Sequence, residues 1–517
     1  MTVETESTPR TAPGRPRLAA AGAGVAAVLL GFGAAELVAG LVAPSASPVL
    51  VVAAAAVDLS PSWAKELAIA LFGTADKIAL VVGIGLVMLL AAAGAGVLEA
   101  RRPPWGRVII GVAGVLGIGA AMTRADAALT SLIPPVVAVV VGVLALGFLL
   151  RRRPERSAPA DDPSRRAFLG WTGGAAVLGA LAAVGGYALQ AGARAATAAR
   201  EALHLPAPAV PAAPVPAGSD LAIDGLAPVV TPNDDFYRID IAFQIPRIDP
   251  IDWRLRIHGM VDQVVEIGWE ELTALPLQES SVTLCCVSNQ VGGDLISNAV
   301  WTGYPIRELL ARAAPHADAD MVLSKSPDGF SASTPLSVLQ DSRDALLAIG
   351  MNGELLPLEH GFPARLVVPG LYGYVSATKW VTELEVTRFD RADAYWTVRG
   401  WSPRGPVKLQ SRIDVPFNGE RLPAGEVVIA GVAWQQHVGV AAVEVQIDEG
   451  EWMPADLATP ISDDTWVQWS VRWDAVVGQH TVRVRATSKD GEVQTAERAD
   501  VIPDGATGHD QIGIRIE

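Results

Sequence analysis

Thr283-Leu284-Cys285-Cys286-Val287-Ser288-Asn289-Gln290-Val291-Gly292-Gly293 holds both cysteines of the 517-residue chain and runs from an apolar stretch into polar, glycine-rich backbone. Two thiols are too few for a disulfide framework, and their only mutual bond would be a strained vicinal one. Export to an oxidising compartment is therefore neither required nor excluded by them. A thiolate is a soft ligand suited to a soft or high-valent metal, and the polar, glycine-rich backbone after Cys286 lets the chain approach a bulky cofactor. The bland alternative is a cysteine that fills a core as a small apolar side chain.

Two further clusters weigh against the bland alternative. His360-Gly361-Phe362-Pro363-Ala364-Arg365 and Tyr372-Gly373-Tyr374-Val375-Ser376-Ala377-Thr378-Lys379 follow one another closely. Arg365 offers a planar fork and Lys379 a point charge to an anionic group, and the small residues before Lys379 leave backbone and hydroxyl donors free. Each charge alone is more often a surface residue. In this order and spacing the three clusters are far more specific than any one of them.

Together they resemble the sulfite-oxidase family of molybdopterin enzymes. In that family a Cys-x-x-Asn stretch supplies the protein thiolate to molybdenum, and the match falls on Cys286 and Asn289, with Cys285 as a packing neighbour. The family's (His or Asn)-Gly-x-Pro-x-Arg segment matches His360 to Arg365, and its glycine-rich stretch ending in Lys matches Gly373 to Lys379. The resemblance thus implies pterin or phosphate contacts at His360, Arg365, Ser376, Thr378 and Lys379. The segment Thr231 to Arg238 resembles the pterin-touching entry segment, which adds Asn233, Asp234 and Tyr237, and Ser333 is counted with the same contacts. Cys286 is the implied metal ligand and catalytic centre, with Arg238 and Phe330 beside the substrate. The implied chemistry is two-electron oxygen-atom transfer at a molybdenum-molybdopterin cofactor.

Three positions depart from the pattern of sulfite-specific members. Phe330 stands where a Tyr is usual, Gln290 where an Arg follows the Cys-x-x-Asn, and Asp240 where a His follows the upstream Arg. Fewer cationic donors weaken the case for sulfite itself. The substrate is left as a small oxyanion or an S- or N-oxide, with a sulfoxide reductase as the second reading. A third, from another class, is a membrane-tethered adhesion or sensory protein without the metal.

Outward from these clusters, Trp253 to Gly259 alternates as a half-buried strand and Ile306 to Ala314 has helical spacing, so residues 219–394 are expected to form an α+β molybdopterin-binding domain. From about Trp396 the pattern turns strand-like, with Val443, Val445 and Ile447 alternating with Glu444, Gln446 and Asp448. Turn residues recur every dozen or so positions. Residues 395–517 therefore read as an immunoglobulin-like β-sandwich, which the family resemblance makes a homodimerisation domain.

Before them, residues 1–190 read as an α-helical membrane bundle. A helix needs about 20 apolar residues to cross a bilayer. Five segments approach this, near Leu18 to Ala43, Ile78 to Leu98, Arg107 to Met122, Ile133 to Leu150 and Ala167 to Leu189, whereas Val49 to Val57 is too short and reads as interfacial or re-entrant. Positive residues gather in alternate loops: Arg10, Arg15 and Arg17; Arg101, Arg102 and Arg107; Arg151, Arg152, Arg153, Arg156, Arg165 and Arg166. Such residues stay cytoplasmic, so the N-terminus is expected inside the plasma membrane and everything after Leu189 outside. The mixed-charge loops around Asp58 to Lys77 and Arg124 to Asp126 fit the outer face. Ser164-Arg165-Arg166-Ala167-Phe168-Leu169 also resembles a twin-arginine export signal, a route that carries domains already folded around a cofactor. Read only as positive-inside charge, the pair gives the same topology. A Pro/Ala-rich run within residues 191–218 is expected to act as a spacer.

Charge limits the partners. Residues 1–200 carry 17 Lys/Arg and 11 Asp/Glu and the remainder 23 and 44, a balance of +6 followed by −21. So acidic an outer part excludes nucleic acid. All seven histidines lie after residue 200 and no Cys-x-x-Cys-His occurs, so no haem is expected in this chain. Electrons are then expected to pass to a separate redox partner or a small carrier.

Overall fold

The computed structural model describes residues 15–42, 46–61, 67, 71–72, 76–123, 129–153, 163–190, 200, 203–242 and 245–517. Arg10, Arg124, Asp126 and Arg156 of the topology reading, most of the loop between Asp58 and Lys77, and most of the first part of the spacer lie outside them. The chain divides into two units, Met1–Arg194 and Ala195–Glu517.

The first unit is helical: α1 (Arg15–Val42), α2 (Pro48–Leu59), α3 (Asp76–Arg101), α4 (Trp105–Met122), α5 (Ile133–Arg151) and α6 (Pro163–Gln190). Five helical stretches, Arg17–Val42, Ile78–Arg101, Trp105–Met122, Leu129–Arg151 and Pro163–Gly186, are long and apolar enough to cross a membrane. Helix α1 packs against α3, α5 and α6, and small residues permit the close approach. A Cβ on Gly33 would lie 1.9 Å from the Gly179 carbonyl oxygen, and one on Gly24 2.1 Å from that of Ala92. Large side chains such as Leu86, Leu90, Leu116, Leu144 and Leu181 face outward instead. That distribution suits a surrounding hydrocarbon, where packing of small residues draws helices together. Two carboxylates are buried with partners. Glu36 accepts hydrogen bonds from the Ser47 hydroxyl and the Val49 N–H at the start of α2, and Glu99 pairs with Arg107 at 2.9 Å.

The second unit is mostly β and has two main cores. Strands β1 (Arg254–Gly259), β2 (Val265–Gly268), β3 (Gln278–Cys285), β4 (Ile296–Pro305), β5 (Met321–Lys325), β6 (Ser331–Pro335), β7 (Leu346–Met351), β8 (Glu354–Leu355), β9 (Arg365–Val367) and β10 (Glu383–Thr387) form two sheets, the first mixed through the parallel β1–β10 pair and the second antiparallel. One has the order β2-β1-β10-β5-β6, and the other β3-β4-β7-β8 with β9 paired to β7. Helices α7 (Trp269–Ala274), α8 (Ile306–Ala313) and α9 (Leu336–Gln340) supply leucines to the core that the sheets share. Trp301 at its centre is fully buried, with its indole N–H donating to the Val282 carbonyl.

The second core lies between sheets β11-β13-β17-β16 and β12-β19-β18-β14-β15, built from β11 (Gln410–Val415), β12 (Arg421–Leu422), β13 (Gly425–Trp434), β14 (Val440–Ile447), β15 (Trp452–Pro454), β16 (Asp456–Leu457), β17 (Val467–Ala475), β18 (Gly478–Ser488) and β19 (Asp510–Ile516). Val443, Val445, Val482 and Val484 are buried on the inner face, as their period of two requires.

The Pro/Ala-rich run differs from the expectation of a free spacer. Ala209 and Val210 donate to the Leu277 carbonyl, Glu279 donates to the Val210 carbonyl, and Leu203 and Leu205 pack on the first core. An extended, proline-rich chain keeps its carbonyls and remaining N–H groups free, and here they cover the open edge of β3.

Candidate active site

Strand β3 ends at Cys285, and the alternation of a strand sends adjacent side chains to opposite faces. Cys285 is packed in the core, while Cys286 lines a cleft of about 870 Å³, a volume that includes its open mouth. The loop after it is pinned at both ends. The Cys286 N–H donates to the Leu295 carbonyl at 2.9 Å, the Asn289 N–H to the Cys286 carbonyl at 3.0 Å, and the Leu295 N–H to Asn289 Oδ1 at 2.9 Å. Asn289 therefore holds the cysteine in place without reaching the cleft. Burial pushes the Cys286 thiol above its usual range, against the opposing effects of Ser288 and Lys379.

Opposite Cys286 lies the segment from His360 to Lys379. Gly361 adopts φ +114, and a Cβ there would lie 3.2 Å from Lys379 Cα, so only glycine lets these two clusters close on each other. Arg365, at the start of β9, is 5% exposed. Its guanidinium donates to the carbonyls of His360 at 3.1 Å, Leu366 at 3.4 Å and Ala377 at 3.5 Å, and lies 5.0 Å from the centre of the Trp301 ring. Among the described residues no carboxylate pairs with it, and burial pulls its pKa down to about 10. Lys379 donates to Asp240 at 2.8 Å and to the Glu359 carbonyl at 3.0 Å. Burial lowers its pKa to about 8 despite Asp240.

Burial also takes His360 down to about 3, so its ring is neutral. Its Nε2 lies 3.1 Å from the Asn233 carbonyl, which can only accept. Nε2 therefore carries the proton and Nδ1 is an acceptor. Tyr237 is held well above the ordinary phenol range by burial and remains a donor. The Asn233 side chain bonds to Glu354 and Asn352, which fixes the carbonyl that orients His360.

The remaining sequence candidates are placed differently. Ser376 donates to the Tyr372 carbonyl at 2.9 Å, Thr378 shares a 2.7 Å hydrogen bond with Ser324, and Ser333 donates to the Pro403 carbonyl at 3.1 Å. Those hydroxyls are spent inside the wall. Asp234 is exposed, and Arg238, 42% exposed, pairs with Asp240 at 3.0 Å rather than lining the cleft. Phe330 does line it.

Several lining residues were not among the candidates that the sequence singled out. Asp328, whose carboxyl is raised by burial, joins Asp240 in the wall. Tyr374, Trp396 and Trp401 supply an aromatic side, with Trp396 and Trp401 centred 6.0 Å apart and Tyr374 5.8 Å from Trp401. The sequence placed both tryptophans in the C-terminal sandwich. They precede its first strand and turn back over the cleft, and only the density of rings from Tyr395 to Trp401 hints at this.

A molybdopterin cofactor fits this arrangement. Among the described residues no three His, Cys, Asp or Glu side chains form a metal-binding group, so a metal at Cys286 would take its other ligands from outside the protein. Arg365 is a buried cation with only carbonyl partners, and an anionic pterin phosphate would supply its counter-charge.

Residues 242–396 match the profile of the oxidoreductase molybdopterin binding domain. Human mitochondrial sulfite oxidase is 29% identical over 49% of this chain and 55% of its own length. The uncharacterized oxidoreductase YuiH of Bacillus subtilis (strain 168) is 32% identical over 30% of this chain and 76% of its own length. The chain spans about half the length of the mammalian sulfite oxidases it matches. The sulfane dehydrogenase SoxCD of Paracoccus pantotrophus shares the fold, with a TM-score of 0.50 at 23% identity over 57% of this chain and 82% of that one. The clefted unit around Cys286 thus has relatives in sequence and in fold, and the chain belongs to the sulfite-oxidase family of molybdopterin-dependent oxidoreductases.

Proposed function

We propose that the chain is a membrane-anchored molybdenum-cofactor oxidoreductase that carries out two-electron oxygen-atom transfer on a small oxyanion or an S- or N-oxide outside the cytoplasm. The observation that carries this reading is the Cys286 thiol in one cleft with a buried arginine that has no acidic partner among the described residues. Cys286 would bind the metal as a thiolate. Arg365 and Lys379 would hold the anionic part of the pterin, with His360 and Tyr237 along its edge. Asn289 keeps the thiol aimed, and Asn233 keeps His360 in one tautomer. Ser333, Ser376 and Thr378 contribute through the wall they stiffen. The cofactor, when bound, supplies the redox chemistry, while the protein orients it and shapes the pocket.

A sulfoxide reductase remains the second reading, favoured by the ring-lined side of the cleft at Phe330, Tyr374, Trp396 and Trp401. The domain plan is a membrane bundle over 1–190, a connecting segment over 191–218, a catalytic domain over 219–394 and an immunoglobulin-like dimerisation domain over 395–517. The basic ends of α3 and α5 and the basic starts of α4 and α6 support a cytoplasmic N-terminus and a plasma-membrane location. A twin-arginine route through Arg165 and Arg166 and a separate redox partner complete the proposal. Purified protein is expected to hold about one molybdenum and one pterin per chain. Oxygen-transfer assays with sulfite and with methionine sulfoxide separate the two readings, and absence of both metal and pterin from protein made in molybdenum-replete cells would sink them.

A pH dependence follows from Lys379. Its cationic form is present below about pH 8 and lost above it, and an anionic group binds the cation. Uptake of molybdopterin by cofactor-free protein is therefore expected to weaken as pH rises through about 8. In Lys379→Met, uptake is weaker throughout and this step is absent. A step of equal size in the variant would assign it to another group.

A further inference from the structure

Asp240 joins Lys379, which lines the cleft, to Arg238, which lies outside its lining. Its side chain is 3% exposed, and the oxygen Oδ2 accepts from Lys379 Nζ at 2.8 Å and from Arg238 Nε at 3.0 Å. Lys379 is 10% exposed and Arg238 42%, so the trio runs from the cleft wall to the solvent-exposed surface. Asp328 adds a second carboxyl to the lining, and His360 is uncharged. Arg365 and Lys379 are the cations that line the cleft, and Asp240 and Asp328 oppose them. The rest of the substrate side is apolar, formed by Ile239, Ile241, Phe330, Tyr374, Trp396 and Trp401. Once an anionic cofactor takes up Arg365 and shares Lys379, the carboxylates of Asp240 and Asp328 leave the lining no surplus positive charge for a substrate.

We propose that Asp240 sets the charge selectivity of the cleft: by holding Lys379 and Arg238 it makes the entrance reject dianions and admit uncharged oxo-substrates. Asp240 is here a specificity-determining residue that acts through its two cations. A charge placed at the rim of a low-dielectric cleft acts strongly on an incoming ion and hardly at all on a neutral molecule. Asp240 therefore separates the substrate classes left open above. The inference rests on the molybdopterin reading, since the cofactor's own charge is part of the balance.

The test uses full-length protein carrying its cofactor, with inorganic sulfate as a redox-inert dianion probe at pH 6, where Lys379 is charged. Sulfate binding is read by calorimetry and by inhibition of methionine sulfoxide turnover. Wild-type protein is expected to bind sulfate weakly. Asp240→Asn is expected to tighten it on the order of tenfold, while KM for the neutral sulfoxide moves less than about threefold. Asp240→Glu should restore rejection of sulfate. Arg238→Gln, at the exposed end of the trio, should weaken sulfate binding further and stands as an independent arm if Asp240→Asn fails to fold. Equal sulfate affinity in wild type and Asp240→Asn, parallel shifts for sulfate and sulfoxide, or tighter sulfate binding in Arg238→Gln would each overturn the proposal. Molybdenum content, measured on the same samples, shows separately whether the cofactor reading has failed.

Discussion

Cys286→Ser is expected to lower oxygen-atom transfer by more than about 100-fold, beyond the 10- to 100-fold typical of losing a partner that only supports a metal ligand. The substitution changes a soft sulfur for a harder, smaller oxygen at the position proposed as the protein's ligand to the metal. Folding should survive, because the loop is pinned by backbone groups and by Asn289, none of which involves the sulfur. Pterin content should stay within about twofold of wild type, since Arg365 and Lys379 are untouched and the cofactor is held largely by its other groups. The measurement pairs turnover with metal and pterin analysis of the same sample. Activity within tenfold of wild type, at equal metal content, would show that the sulfur is not a ligand. Cys285→Ser is the control. It replaces a core sulfur that faces away from the cleft, so its cost should appear in stability rather than in turnover per bound metal.

The contrast between the two cysteines also marks how far the sequence can be read. Cys286 rather than Cys285 was singled out by its resemblance to the family's Cys-x-x-Asn stretch, and the physical reason is visible only in the fold, where alternation at the end of β3 turns the two side chains to opposite faces. The same period of two located the inner face of β14 and β18. Gly361 and Arg365 were legible through their resemblance to the family's (His or Asn)-Gly-x-Pro-x-Arg segment, and the φ of +114 at Gly361 supplies the physical reason for the glycine. Small hydroxyl residues were not. Ser333, Ser376 and Thr378 are short enough to point either way, and each found a buried partner that no local pattern records. Asp240 stood out only as a departure, and its pairing with a lysine 139 positions later is a tertiary fact. The aromatic wall was misplaced because a run of tryptophans before a strand-rich region looks like the start of that region. The Pro/Ala-rich run misled for a different reason. Its composition fixes an extended backbone, and an extended backbone serves equally as a spacer or as a cover for a sheet edge.

Arg365→Met is expected to separate stability from cofactor binding, with opposite signs. In cofactor-free protein the guanidinium is largely buried, has only carbonyl hydrogen-bond partners among the described residues, and has its pKa drawn down to about 10 by burial. Taking such a charge out of water costs several kcal/mol, and three carbonyl contacts, two of them longer than 3.3 Å, return only part of it. Methionine is unbranched, flexible enough to fill the vacated space against Trp301, and carries no charge to desolvate. The loss of the charge-assisted hydrogen bond to the His360 carbonyl costs about 2 kcal/mol. The removal of the uncompensated charge outweighs it, so the cofactor-free variant should unfold at a higher temperature than cofactor-free wild type. Binding runs the other way. An anionic pterin phosphate would turn the buried arginine from a liability into a paired, charge-assisted contact, and its removal should lower cofactor retention on the order of 100-fold. Thermal unfolding of cofactor-free samples and pterin analysis after extended washing read the two effects independently. A variant that is destabilised without cofactor and still keeps its pterin would mean that Arg365 braces the core and does not hold an anion.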